Sequence, residues 1–194
     1  MKLASYWHDT ALRFDAEVQG PPAGRADVLV VGGGFTGLTA AFALAKKGAQ
    51  VVLLEAERVG NAASGRNGGH VNNGFAQDYA AMCARLGTER ANLLYRSFDA
   101  GVDTVELIIR EEGIDCDFRR TGKLKLAAKP AHYDKLGRSQ ELLAREVDPD
   151  THMVSKAALS EELGSDAYER GRAEGRAHPR EHALDRTAPH AIAS

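Results

Sequence analysis

The segment from Asp27 to Glu55, DVLVVGGGFTGLTAAFALAKKGAQVVLLE, constrains the fold more than any other part of the chain. Residues 28–31 and 51–54 are short apolar runs rich in β-branched side chains, which is typical of buried parallel strands. Between them, Gly48 ends a stretch with apolar residues at helical spacing, namely Leu38, Ala41, Phe42 and Ala45. The segment therefore predicts a strand, a glycine turn, a helix and a second strand of an α/β protein.

Three glycines follow the first predicted strand in the pattern G-x-G-x-x-G, at Gly32, Gly34 and Gly37. The first permits a tight turn, the second lets the backbone approach a pyrophosphate, and the third lets the helix pack closely on the strand. A phosphate would then lie at the helix N-terminus, beside Phe35 and Thr36. Unpaired N–H groups and the helix dipole favour an anion there.

Glu55 ends the second predicted strand, 18 residues after Gly37. A carboxylate at this position can accept hydrogen bonds from both hydroxyls of an adenosine ribose, and it would repel a 2′-phosphate. The strand, the helix and the acid all have the required spacing. The pattern thus indicates a dinucleotide site rather than a tight turn in a ligand-free α/β protein.

A second unusual segment, residues 58–75, combines five glycines with four asparagines. This composition cannot form a core, but glycine and asparagine tolerate positive φ, so backbone amides can turn inward. Ser64, Arg66 and Asn67 add donors for phosphate or carbonyl oxygens. Because the segment leaves the carboxyl end of the second strand, where α/β proteins bind ligands, we interpret it as a ligand loop rather than a flexible surface loop.

Together these segments resemble the FAD-dependent oxidoreductases of the D-amino-acid oxidase superfamily, and most of all their gamma-glutamylputrescine oxidoreductase branch. The resemblance rests on the 27–55 unit, on Ser64-Gly65-Arg66-Asn67-Gly68-Gly69 and on Ser5-Tyr6-Trp7 near the N-terminus. It implies FAD as the cofactor, with its pyrophosphate on the glycines, its ribose on Glu55 and its middle part on the loop. The implied cofactor-binding residues are Gly32, Gly34, Phe35, Thr36, Gly37, Glu55, Ser64, Arg66, Asn67, Gly68, Gly69 and, near the flavin ring, His70.

The resemblance also implies an enzyme that oxidises the C–N bond of a small-molecule amine or amino acid by hydride transfer to the flavin, which dioxygen then reoxidises. It points to no particular catalytic side chain. Two alternatives stay open. One is an NAD-dependent dehydrogenase with the same glycine turn, against which the 64–69 loop argues. The other is a truncated nucleotide-binding module that is inactive alone.

The sequence predicts four parts. Residues 1–25 form an N-terminal arm, and residues 26–113 form an incomplete Rossmann-like FAD-binding domain with helices over 78–112 that break near Gly87. Residues 114–168 begin a mixed substrate-domain sheet, with strands at 114–118 and 123–128 and helices at 131–145 and 156–163. Residues 169–194 form a tail.

The tail has five arginines, three histidines and no periodic apolar pattern, so we expect it to be disordered. The family resemblance is expected to end near Tyr168. A GC-rich gene that is read out of frame also yields arginine, alanine, glycine, proline and histidine. We therefore expect either an aberrant end on an N-terminal fragment, with a missing C-terminal half as its partner, or a native tail.

Composition excludes several classes of function. The net charge of −2 favours neither a nucleic-acid nor a membrane-surface partner, and no apolar run approaches the ~20 residues of a membrane span. Cys83 and Cys116 are isolated, and the scattered histidines predict no metal site. A cytoplasmic location is expected.

Overall fold

The computed structural model describes residues 3–12, 14–163 and 170–174, and the chain forms two compact units, Met1–His70 and Val71–Ser194. The elements of the first unit are α1 (Tyr6–Thr10), β1 (Val28–Val31), α2 (Phe35–Lys46), β2 (Val51–Leu54) and a short 3₁₀ turn (Ala63–Gly65). Those of the second are α3 (Tyr79–Leu86), α4 (Thr88–Glu111), β3 (Lys123–Ala127), α5 (Pro130–Glu146), β4 (His152–Val154), α6 (Lys156–Leu163) and β5 (Arg170–Glu174). The family-based domain boundaries at residues 113 and 168 stay predictions.

The first unit has the predicted strand–turn–helix–strand order. β1 and β2 pair in parallel, with Val28 opposite Val51 and Val31 opposite Leu54. The Gly32 amide extends this ladder by donating to the Leu54 carbonyl at 2.8 Å. Parallel neighbours need a crossover connection, which α2 supplies. The α/β interpretation of this segment is confirmed.

One side of this small sheet is open. Leu29 and Val31 are 57% and 80% exposed, whereas Val28 and Val30, which alternate with them along β1, are half-buried. No residue of α2 is fully buried. Because parallel sheets are normally covered on both faces, such an exposed apolar face is typical of an incomplete sheet.

The sheet of the second unit is antiparallel, with β5 between β3 and β4. The prediction of disorder is wrong for residues 170–174, while residues 164–169 and 175–194 lie outside the described part of the chain. The backbone of β5 pairs on both sides, which offsets its poor strand composition. Gly171 is buried, and an added Cβ would lie 3.1 Å from the Lys125 carbonyl oxygen and 3.3 Å from Leu159 Cδ1.

The strand predicted at 114–118 does not form. Asp117 adopts a φ of 52°, which interrupts an extended backbone, and Ile114 is 47% exposed. The strand predicted at 123–128 forms over 123–127, and the helix predicted at 156–163 forms with those bounds. β4 was not predicted, because a three-residue strand has too few positions to show an alternating pattern.

Helices α3, α4 and α5 provide the main core of the second unit. Tyr79 and Tyr95 meet edge to face at 6.0 Å between ring centroids, and Leu143 is 1% exposed beside them. The predicted break at Gly87 is confirmed, with a φ of 81°. On α4, Tyr95 is buried whereas Phe98 is 45% exposed.

Leu143→Ala should destabilise the second unit by about 2–5 kcal/mol, because it leaves a cavity among buried aromatic rings. Urea unfolding followed by tyrosine fluorescence would measure the change. Leu93→Ala is the matched control, since Leu93 is 67% exposed on α4. An equal cost for both substitutions would contradict this description of the core.

Candidate cofactor-binding site

The glycine turn between β1 and α2 depends on missing side chains. Gly32 has a φ of 103°, a conformation that favours glycine. At Gly37, an added Cβ would overlap the Gly32 carbonyl oxygen and lie 3.3 Å from Val30 Cγ1. The start of α2 therefore packs directly on the end of β1, as predicted from the third glycine of the pattern.

Glu55 lies against the same turn. Its Oε2 accepts a hydrogen bond from the Gly33 amide at 2.6 Å, and its Oε1 accepts one from the Glu57 amide at 3.1 Å. These bonds stabilise the charged form, so the Gly33 amide first, and the Glu57 amide second, lower the pKa of Glu55 below its usual value. The side chain is thus an ionised acceptor at the carboxyl ends of both strands.

Ser64 brings the glycine- and asparagine-rich loop to the start of α2. Its Oγ accepts a hydrogen bond from the Phe35 amide at 2.9 Å, and a Cβ on Gly34 would lie only 3.0 Å from that oxygen. The Gly60 amide donates to the Gly33 carbonyl at 2.9 Å. The loop after β2 and the turn after β1 therefore form one continuous backbone surface.

The rest of the loop folds on itself. Asn67 Nδ2 donates to the Ser64 carbonyl at 2.7 Å, and Asn67 Oδ1 accepts from the Gly69 amide at 2.8 Å. Arg66 is exposed and lines an open groove with residues of the N-terminal arm. His70 is exposed and lies beside Gly68, where an added Cβ would be 2.8 Å from its Nδ1.

These residues fit a dinucleotide. An added Cβ on Gly33 or Gly34 would make a tight contact, 3.2 Å from Glu55 Oε2 or 3.0 Å from Ser64 Oγ, so the glycines leave bare backbone at the turn. Gly34 is the N-cap of α2 and has no capping side chain of its own, whereas Ser64 accepts from the Phe35 amide. Glu55 uses one bond to each of its two oxygens, and a carboxylate has about four acceptor positions, which leaves capacity for ribose hydroxyls.

The structure adds residues that the sequence analysis left out of the site. The middle glycine, Gly33, is buried and provides both the amide for Glu55 and the carbonyl for Gly60. Trp7 and His8 of the arm donate to the loop carbonyls of Asn67 and Gly60, at 2.8 and 3.2 Å. The run of three glycines could have indicated Gly33. No sequence pattern indicated the partners of the arm.

The described residues give no support for a metal site or for a membrane-spanning helix. Residues 3–12, 14–163 and 170–174 contain no cluster of three or more histidine, cysteine or acidic side chains that could hold a metal ion. Within the same ranges, none of the helices has the length and apolarity needed to cross a membrane.

Gly37→Ala should destabilise the first unit by about 1–3 kcal/mol, because the new methyl group forces α2 away from the Gly32 carbonyl. Hydrogen exchange of the β1 amides would measure the loss. Gly101→Ala is the control, since Gly101 lies in α4 with no atom within 4 Å of an added Cβ. It should stabilise its helix by about 0.5–1 kcal/mol.

Glu55 should make the stability of the first unit depend on pH. Its folded pKa is lowered, so its contribution is present above the unfolded value of about 4.3 and is lost as the pH falls through the folded pKa. Urea midpoints of wild type and Glu55→Gln, measured at several pH values, should differ most above about pH 5 and converge in acid. A difference that does not change with pH would contradict this role.

Comparison with curated proteins identifies relatives that are longer than this chain. The chain is 36% identical to gamma-glutamylputrescine oxidoreductase of Escherichia coli (strain K12) over 142 residues, which cover 73% of this chain and 33% of that protein. It is 33% identical to the probable oxidoreductase OrdL of Haemophilus influenzae over 170 residues, covering 86% of this chain and 38% of that protein. The chain thus spans only about a third of the length of these relatives.

Solved structures share the fold. Glycine oxidase from Geobacillus kaustophilus matches with a TM-score of 0.59 and 23% identity, over 78% of this chain and 40% of that one. L-amino acid deaminase from Proteus vulgaris, without its specific insertion sequence, matches with a TM-score of 0.58 and 22% identity, over 83% and 40% of the two chains. These matches confirm the predicted fold class.

The model of the family described as FAD dependent oxidoreductase (DAO) matches residues 27–184. The match includes the glycine turn, Glu55 and the loop, and it passes Tyr168, where the sequence analysis had placed the end of the resemblance. Family membership, and FAD as the cofactor of the family, confirm the resemblance drawn from the motifs. The chain therefore belongs to the DAO family of FAD-dependent oxidoreductases.

Proposed function

We propose that this chain is the FAD-binding part of an oxidoreductase that oxidises the C–N bond of a small-molecule amine or amino acid. One observation carries the proposal. Glu55 and Ser64, which follow β2, both bond to the turn that follows β1, so one surface presents an ionised carboxylate, a hydroxyl and bare backbone. An adenosine diphosphate needs these groups together at the carboxyl edge of a parallel sheet.

Each group has a separate task in this proposal. The turn at Gly32 and Gly34 lets the pyrophosphate approach the backbone, and the N-terminus of α2 at Phe35 and Thr36 faces it with a positive dipole end. Gly37 keeps α2 close enough for this. Glu55 holds the ribose hydroxyls and excludes a 2′-phosphate by charge repulsion.

The loop supplies contacts farther along the cofactor. Ser64 fixes the loop to the start of α2, and Arg66, Asn67, Gly68 and Gly69 would hold the middle of FAD, with His70 toward the flavin ring. The internal bonds of Asn67 pre-order this part of the loop, which lowers the entropy cost of binding. FAD, when bound, supplies a two-electron acceptor for oxidation of the C–N bond.

The names of the relatives support the substrate class. They include a gamma-glutamylputrescine oxidoreductase, and solved structures of the same fold include a glycine oxidase and an L-amino acid deaminase. Because this chain spans about a third of its curated relatives, we propose that catalysis belongs to a longer assembly that includes a further C-terminal half. The chain alone should bind the cofactor and turn over little or no amine.

Purified chain should bind FAD, and Glu55→Gln should weaken this binding by roughly tenfold or more, because hydrogen bonds to a charged acceptor are stronger than those to a neutral amide oxygen. Quenching of flavin fluorescence would give both dissociation constants. Glu141→Gln is the control, since Glu141 is exposed on α5 in the other unit. ADP-ribose should compete with FAD better than its 2′-phosphorylated form.

Other outcomes would decide against the proposal. A colourless protein that retains NAD and excludes FAD would favour the NAD-dependent dehydrogenase. If the chain binds neither dinucleotide, the glycine pattern is only a tight turn in a ligand-free α/β protein, and the proposal is wrong. Sustained peroxide production from a panel of amines would contradict the expectation that this chain alone is inactive.

A further inference from the structure

The N-terminal arm binds the candidate cofactor loop through three carbonyl groups. Ser5 Oγ donates to the Gly65 carbonyl, and Trp7 Nε1 donates to the Asn67 carbonyl at 2.8 Å. His8 Nε2 lies 3.2 Å from the Gly60 carbonyl and must carry the proton of that bond, because a carbonyl only accepts. Three side chains from four successive residues of the arm thus contact carbonyls spread over eight residues of the loop, from Gly60 to Asn67.

The arm and the loop also match in shape. A Cβ on Gly69 would overlap Cζ2 of the Trp7 ring, and one on Gly65 would overlap the Gly60 carbonyl oxygen and lie 2.8 Å from His8 Nε2. Gly69 has a φ of 70° as well. Absent side chains therefore let the indole and the imidazole lie directly on loop backbone.

These contacts explain why the arm is ordered. Helix α1 has five residues, none of them buried. An isolated helix of that length is unstable in water, because too few hydrogen bonds form to offset nucleation. Its polar contacts with the loop are therefore what fixes it, and by the same reasoning they restrain the loop.

The restrained loop is the one that reaches the glycine turn. Ser5 bonds to Gly65, the neighbour of Ser64, and Ser64 accepts from the Phe35 amide. His8 bonds to Gly60, whose amide donates to the Gly33 carbonyl. His8 thus holds a loop residue that itself bonds to the turn, Gly60. Ser5 holds Gly65, which is next to Ser64, the residue that bonds to the start of α2.

We propose that Ser5, Trp7 and His8 are positioning residues that clamp loop 60–69 in the shape that receives FAD. The cofactor part of this inference rests on the proposed function, whereas the clamp itself does not. None of the three side chains needs to contact the cofactor. They act by holding loop carbonyls, which fixes the direction of the amides on the other side of the same peptide planes.

Trp7→Phe tests the clamp, because phenylalanine keeps an aromatic ring in the arm but removes the indole donor and the outer indole ring that lies on Gly69. Hydrogen exchange of full-length protein without flavin should show the Gly65, Arg66 and Gly69 amides exchanging roughly two- to tenfold faster, as expected for one lost hydrogen bond. Amides in α4 should not change. Leu12→Ala is the control, since Leu12 is in the same arm and fully exposed.

A second pair of variants separates the hydrogen bond from simple packing. His8→Ala should increase loop exchange, and His8→Gln, whose amide can still donate, should restore part of the protection. Unchanged exchange in Trp7→Phe and His8→Ala would overturn the clamp. An increase in Leu12→Ala as large as in Trp7→Phe would also overturn it, because the effect would then not depend on the bonds.

FAD titration then tests positioning. Trp7→Phe should raise the dissociation constant for FAD by about the same factor by which it raises the exchange rate of the loop amides. Unchanged FAD affinity alongside faster exchange would overturn the positioning role. If wild-type protein binds no FAD, the proposed function fails, while the exchange experiment without flavin still decides whether the clamp exists.

Discussion

The close approach of bare backbone at the Gly32–Gly34 turn is the constraint on which the first unit depends. The missing side chain of Gly33 gives its amide a close approach to the Glu55 carboxylate at 2.6 Å, and only because Gly37 lacks a side chain can α2 lie on the end of β1. The hydrogen bond joins Gly33 and Glu55, which follow the ends of β1 and β2 and are 22 residues apart in sequence. It also keeps the carboxylate ionised, which is the state that a ribose-binding acceptor requires.

The loop after β2 extends this arrangement outward. Ser64 occupies the Phe35 amide, so the loop is part of the start of α2 rather than a separate surface feature. The arm adds contacts to loop carbonyls from the opposite end of the sequence. Glycine recurs along the loop for two different reasons, since Gly60 and Gly69 have positive φ, whereas a Cβ on Gly65 would overlap the Gly60 carbonyl oxygen and crowd His8.

The second unit is held together by other means. Its core is aromatic and aliphatic, around Tyr79, Tyr95 and Leu143, and a buried hydrogen bond joins the Tyr95 hydroxyl to Asp148 Oδ2 at 2.9 Å. In contrast, the first unit exposes Leu29 and Val31 on its sheet. The difference accords with a chain that covers about a third of its curated relatives, because a parallel sheet normally has more strands and a second covering layer.

By itself the sequence determined the βαβ unit, the break at Gly87 and the family, because strand and helix periodicity and glycine spacing are local properties. It also indicated most of the residues that converge on the turn, since parallel strands end at one edge. Only the tertiary structure determined which distant residues form hydrogen bonds with each other. Trp7 and His8 reach loop carbonyls that no local pattern encodes. Residues 170–174 become a central strand although their composition predicts disorder, because β3 and β4 provide backbone partners on both sides. Pairing between distant segments has no signal in the residues of either segment alone.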